Sequence, residues 1–119
     1  GIASSGLHSN GFSLVRKIVF DKAQLDVDSY IEDLQSTVGD ALLTPTLIYA
    51  NLVRRVLQHY RVKNVVHGIA HITGGGLLEN TERILPSEVD LVFEKGSWEV
   101  PAVFRWLQGI GDVPASEMD

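Results

Sequence analysis

The stretch His71-Ile72-Thr73-Gly74-Gly75-Gly76-Leu77-Leu78-Glu79-Asn80 sets three consecutive glycines between an apolar run and a helical pattern. Glycine loses more backbone freedom on folding than any other residue, so a packed domain keeps such a run where side chains would obstruct something. Two uses fit it. The bare amides of Gly74, Gly75 and Gly76, with the unpaired N–H groups of a first helical turn, can converge on a phosphate. Alternatively the glycines make a tight connection with no ligand. The spacing is neither a Walker loop nor a G-x-G-x-x-G fingerprint, so it does not decide between the two. Thr73 adjoins the glycines, and His71 stands at the end of the apolar run beside them. His67 lies four residues earlier and would share a strand face with His71, but zinc needs further ligands that the sequence does not supply, and no metal site is expected.

A second polar cluster is Ser4-Ser5-Gly6-Leu7-His8-Ser9-Asn10-Gly11. His8 precedes a helix start, where an imidazole can reach a ligand bound at the helix end or hydrogen-bond its own loop. Ser9 or Asn10 can cap that helix, with Gly11 completing the turn. The acidic residues Asp26, Asp28, Glu32 and Asp33 lack the glycine and terminal glutamate of a calcium loop and read as a solvated face, so the 21–39 stretch is assigned no chemistry. Arg54-Arg55 reads likewise as solvated.

The elements that must position these residues follow from periodicity. Phe12, Val15, Ile18 and Val19 mark one face of a helix. Thr44 as cap and Pro45 at the first helical position start another, with Ile48, Leu52, Val53, Val56, Leu57 and Tyr60 as its apolar stripe. Residues 65–70 and 89–93 read as strands, and 77–85 as a short helix after the glycines. Lys95-Gly96-Ser97 reads as a turn. A helix then carries Val103, Phe104, Leu107 and Ile110 on one face and stops at Gly109 or Gly111. Trp98 and Trp106 are expected as core or interface anchors. Pro114 opens a last helix. The expected fold class is α+β, a layered mixed sheet with packed helices.

With 119 residues, 45% of them hydrophobic, we expect one soluble domain. The net charge of −5 is spread without a basic stripe, which argues against nucleic acid as a partner. No apolar run is long enough to span a bilayer, no membrane partner is expected, and the lack of cysteine suits a cytoplasmic protein. Gly1-Ile2-Ala3 resembles the end of a strand and Pro114 opens a helix without a body, so the chain is expected to be a fragment.

Three motifs now stand together: 3–17, from Ala3-Ser4-Ser5-Gly6-Leu7-His8-Ser9-Asn10-Gly11 into Phe12-Ser13-Leu14-Val15-Arg16-Lys17; Leu42-Leu43-Thr44-Pro45-Thr46; and Ala70 through Asn80. Together they resemble the C-terminal domain of the phosphoribosylformylglycinamidine cyclo-ligase (aminoimidazole ribonucleotide synthetase) family. Arg83-Ile84-Leu85-Pro86 and Phe104-Arg105-Trp106-Leu107-Gln108 fit it too. The resemblance covers nearly the whole chain except residues 20–36. Leu47 departs from it, since relatives often carry arginine after Thr-Pro-Thr.

The resemblance implies a homodimeric ligase of purine biosynthesis. Such an enzyme uses ATP and Mg2+ to phosphorylate the amide oxygen of formylglycinamidine ribonucleotide, after which an internal nitrogen displaces phosphate and closes the imidazole ring. It implies that residues 1–119 are a partial C-terminal domain. The N-terminal ATP-binding domain, absent from this chain, would bring most nucleotide and metal ligands, so the fragment alone is expected to be inactive. By position, His8 matches the family's active-site histidine, with Ser9, Asn10 and Gly11 shaping its loop. His71, Thr73 and Gly74 to Gly76 match a second loop, which we assign by physical argument to the ribose phosphate or the transferred phosphoryl group. The alternatives are a sibling amide-activating enzyme such as formylglycinamidine ribonucleotide synthase, and a non-catalytic phosphate-binding or dimerisation module.

Overall fold

Phe12, Val15, Ile18 and Val19 recur at helical spacing, and in the computed structural model, which describes residues 1–118, they form a helix as expected. Its first part is α-helical, α1 (Phe12–Arg16), and it continues without a break as a π-helix over Lys17–Lys22. Val15, Ile18 and Val19 are buried, with Phe12 packed beside them. The wider π turn brings the Ala23 N–H onto the Ile18 carbonyl at 2.9 Å. The expected cap is corrected: neither Ser9 nor Asn10 caps α1. Gly11 holds that position at φ 73°, a left-handed conformation that glycine adopts without cost, and its carbonyl accepts from the Leu14 and Val15 amides.

The chain divides into two compact units, one of Gly1–Leu47 together with the stretch from Lys95 on, the other of Ile48–Glu94. In the first unit a hairpin pairs β1 (Tyr30–Ile31) with β2 (Ser36–Thr37) antiparallel, Tyr30 opposite Thr37 and Ile31 opposite Ser36. A 3-10 turn over Glu32–Leu34 joins them. Thr37 then caps α2 (Val38–Leu42): its Oγ1 accepts from the Asp40 amide at 3.1 Å and donates to the Asp40 carboxylate at 2.8 Å. Asp26 serves as a turn former, its Oδ1 accepting from the Asp28 amide and the Ser29 hydroxyl.

The second unit holds α3 (Ala50–His59) and α4 (Gly76–Glu82). The expected start of α3 at Thr44-Pro45 is corrected. The helix begins only at Ala50 with Tyr49 at the cap position, Thr44 Oγ1 donates back to the Asp40 carbonyl at 3.2 Å, and Ile48 stays outside the helix and exposed. The apolar stripe of α3 is real in register, but Leu52, Val56, Leu57 and Tyr60 are exposed. The strands expected over 65–70 and 89–93 are corrected as well: neither segment pairs, and Val65, Ile69, Val89, Leu91 and Val92 are exposed. A strand exists only with a partner to take its N–H and C=O groups, and β-branched composition does not supply one.

Back in the first unit, the last long helix, α5 (Ala102–Gly111), buries Val103, Trp106 and Leu107 against Val15, Ile18, Val19, Val38 and Leu42. Trp106 is thus a core anchor, while Trp98 is 46% exposed. The helix ends at Gly111, and Asp112 turns the chain away at φ 50°. Lys22 donates to the Gly111 carbonyl at 2.8 Å and to Asp112 at 2.9 Å, a cation on a helix C-terminus, and this contact holds the Asp112 carboxyl below its ordinary pKa. Beyond Pro114 the helical start is a 3-10 turn, Ala115–Glu117. Among the described residues the sheet is the two-stranded hairpin, and the chain is mixed α+β. No helix among the described residues is long and apolar enough to cross a membrane.

Two glycines of α5 separate propensity from packing. A Cβ at Gly109 meets nothing within 4 Å, whereas at Gly111 it would lie 2.8 Å from Ile18 Cδ1 and 2.9 Å from Val113 Cγ2. Gly109→Ala should stabilise by up to about 1 kcal/mol through helix propensity. Gly111→Ala should lose that gain to overpacking of about 1–3 kcal/mol. Urea unfolding of the two variants checks this, and equal stabilisation by both would contradict the packing.

Candidate functional site

The loop from Ser5 to Gly11 is built on positive φ angles: 147° at Gly6, 52° at His8 and 73° at Gly11. Gly6 is buried, and a Cβ at that position would lie 3.9 Å from Val103 Cγ1, so the loop lies directly on α5 of the core. His8 is a non-glycine residue in the left-handed region, which costs about 1 kcal/mol and needs compensation. Its ring supplies that compensation. The Ser5 amide donates to His8 Nε2 at 3.1 Å, the Ser5 hydroxyl lies 3.0 Å from the same nitrogen, and the Leu47 amide approaches it at 3.5 Å.

A nitrogen that accepts from a backbone N–H cannot carry a proton, so in the neutral ring the proton is on Nδ1. The single hydrogen of the Ser5 hydroxyl has two acceptors to choose from, and the nearer is the Pro45 carbonyl at 2.7 Å. His8 thereby ties its own loop to the Pro45–Leu47 segment. Of its two readings, holding the loop is realised at Nε2. Ser9 and Asn10 are exposed beside it, with the Asn10 amide on the Leu7 carbonyl at 3.2 Å. Leu47 approaches the His8 ring with its backbone N–H and not with its side chain.

His71 is exposed in an irregular segment, so the shared strand face with His67 does not form. The glycine loop does precede a helix. Gly75 at φ 97° is the N-cap of α4, Gly76 at φ 65° is its first residue, and the Gly76 amide closes a turn onto the Thr73 carbonyl at 3.1 Å. Among the described residues, the Gly74 and Gly75 amides donate to no backbone carbonyl. The Glu79 carboxylate leans over Gly75 and pairs with Arg83 at 3.7 Å, an exposed contact that an anion at the loop would have to displace.

Beneath the loop lies a residue to which the sequence motifs gave no role. Asn80 is the buried polar side chain among the described residues, 4% exposed, and its Nδ2 donates to the carbonyls of Thr73, Gly74 and Gly76. The signal was its spacing: a residue four after Gly76 on a helix can reach back to that carbonyl. The Ser5 contact lies within the loop, where the sequence already allowed His8 a partner, whereas the Leu47 amide could be linked to His8 only through the fold.

Comparison with known proteins now adds to this geometry. The family described as "AIR synthase related protein, C-terminal domain" matches residues 1–118. The chain belongs to this family. Over 118 residues, 99% of the chain, it is 50% identical to phosphoribosylformylglycinamidine cyclo-ligase of Desulfatibacillum aliphaticivorans. It is 53% identical to the protein of that name from Pseudothermotoga lettingae and 46% identical to the one from Syntrophus aciditrophicus, again over 118 residues. The match takes in 33% of each of those proteins, so the chain spans about a third of the length of these curated relatives.

The two loops that carry the AIR synthase family motifs fall in different units, His8 in the first and Gly74–Gly76 in the second. In the second, Gly74 separates ligand effects from folding effects. A Cβ there meets nothing within 4 Å, whereas at Gly75 it would run into Glu79 at a positive φ. Gly74→Ala should leave stability within about 0.5 kcal/mol. Gly75→Ala should cost about 1–2 kcal/mol in backbone strain. Denaturant unfolding checks both, and a Gly74→Ala variant that unfolds would make these glycines purely structural.

Proposed function

We propose that this chain is the C-terminal part of an ATP-dependent cyclo-ligase that converts formylglycinamidine ribonucleotide to aminoimidazole ribonucleotide in purine biosynthesis. The observation that carries the reading is identity of about half over essentially the whole chain to proteins named phosphoribosylformylglycinamidine cyclo-ligase. The Ser5–Gly11 and His71–Asn80 loops support it, since each is shaped by specific polar contacts and not only by burial.

In this reading, ATP supplies the phosphoryl group that makes the amide oxygen a leaving group, and an internal nitrogen then displaces it as phosphate. The protein's tasks are to neutralise charge and to hold the substrate in ring-closing geometry. The Gly74 and Gly75 amides, with Thr73 and His71 alongside, suit the ribose phosphate or the transferred phosphoryl group. His8, held in place by its loop, serves as a substrate or phosphate contact or a proton-transfer group, and Ser9, Asn10 and Gly11 shape the approach. Mg2+ and most nucleotide contacts belong to an N-terminal domain of the parent protein. The described residues gather no three histidine or acidic side chains that would suit the metal. The parent is a homodimer of the cytoplasm, and the layered sheet is completed within that longer protein.

The test is ADP release by the parent protein with Mg2+ and formylglycinamidine ribonucleotide, in wild type and in His8→Asn. Asparagine tolerates the left-handed backbone at position 8, so the variant isolates the ring. Substrate-dependent release that falls about a hundredfold in folded His8→Asn is expected. Well-folded parent with no substrate-dependent release would overturn the reading.

A further inference from the structure

Leu42-Leu43-Thr44-Pro45-Thr46 carries the family resemblance together with the two loops, yet it starts no helix and contains no charged side chain. What this stretch offers is backbone. The Pro45 carbonyl accepts from the Ser5 hydroxyl at 2.7 Å, and the Leu47 amide, just beyond the motif, approaches His8 Nε2 at 3.5 Å. Pro45 lies 40 residues beyond Ser5, so this contact joins two distant parts of the chain and does not merely close a turn. The same Ser5 hydroxyl lies 3.0 Å from His8 Nε2, and the Ser5 amide donates to that nitrogen at 3.1 Å. Ser5 is therefore the residue that holds both the His8 ring and the distant segment. His8 needs such a hold, because its φ of 52° is a conformation that a histidine keeps only where its surroundings fix it.

We propose that Ser5 is a positioning residue for His8: its hydroxyl fastens the His8 loop to the Pro45 carbonyl and its amide fixes the ring at Nε2, so that the imidazole meets the substrate in one orientation. The proposal rests on the assignment of His8 to the substrate made above and deepens it by naming what holds that ring. It also gives the Thr-Pro-Thr stretch a part, as the backbone acceptor to which the loop is tied. Substitution can remove the hydroxyl by itself. Ser5→Ala deletes one oxygen at a half-buried position and keeps the amide, whereas Ser5→Thr keeps both.

The experiment uses the parent protein in wild type, Ser5→Ala, Ser5→Thr, His8→Asn and the double variant of Ser5→Ala with His8→Asn. Substrate-dependent ADP release and 15N NMR of the histidine rings are recorded on the same samples. Ser5→Ala should lower kcat/KM about tenfold, the worth of one hydrogen bond, and Ser5→Thr should restore it. In the His8→Asn background Ser5→Ala should cause no further fall, because it acts through the ring. The His8 ring signals should shift or broaden in Ser5→Ala and not in Ser5→Thr. Unchanged kinetics or unchanged His8 ring signals in folded Ser5→Ala overturn the proposal. A loss that Ser5→Thr does not restore, or that adds in full to that of His8→Asn, overturns it as well, because Ser5 then serves only the fold. Should Ser5→Ala not fold, Ser5→Cys, with a weaker donor in the same place, takes its part in every comparison. Well-folded parent protein that releases no ADP sinks the cyclo-ligase reading, and the ring signals then decide the positioning role by themselves.

Discussion

The close approach of α5 to the π-helical end of the first helix is the contact on which the larger unit depends. Gly111 permits it, because any side chain there would strike Ile18 and Val113. Lys22 closes it by taking the carbonyl at the end of α5. Val15, Ile18 and Val19 on one side and Val103, Trp106 and Leu107 on the other then exclude water from a single core. The Ser5–Gly11 loop inherits its position from that core, since buried Gly6 rests on Val103 and Gly11 caps α1. His8 is placed by a hydrophobic contact and then fixed by hydrogen bonds from Ser5 and Leu47.

The unit of Ile48–Glu94 is organised differently. Its apolar side chains on α3 and in the irregular segments are largely exposed, and its buried residue among those described is the polar Asn80. What shapes the glycine loop is therefore directional: three carbonyls converge on one amide. A polar clamp suits such a loop because glycines offer nothing else to hold, and hydrogen bonds fix orientation where burial fixes only proximity. It also explains how the loop can be held in one shape although its glycines bring no side chains to pack.

Local chemistry was readable in the sequence, and chemistry that depends on a distant partner was not. The face of α1, the face of α5 and the helix after the glycines followed from spacing, because a helix satisfies its own backbone. Residues 65–70 and 89–93 have the composition of strands, but a strand needs a neighbour, and composition cannot reveal whether one is there. Thr44-Pro45 had the form of a helix start, yet the helix begins only at Ala50. The hairpin and the Thr37–Asp40 cap lie in a stretch whose composition signals only an acidic face, although a threonine followed three residues later by an aspartate is a usable cap signal. His8 and Gly74–Gly76 were legible as candidates from residue type and motif. Their supports differed: Asn80 lay within helical reach of the loop, while Leu47 is 39 residues from His8 in sequence.

If the glycine loop is a ligand surface held ready by its own unit, its amides must sense the substrate directly. The most direct measurement is a 15N-glycine NMR titration of the parent protein with formylglycinamidine ribonucleotide, resolving Gly74 and Gly75 from the other glycines. These two amide resonances should move together and saturate with substrate. Substrate binding that leaves both unmoved would contradict the ligand role and return the three glycines to a structural turn.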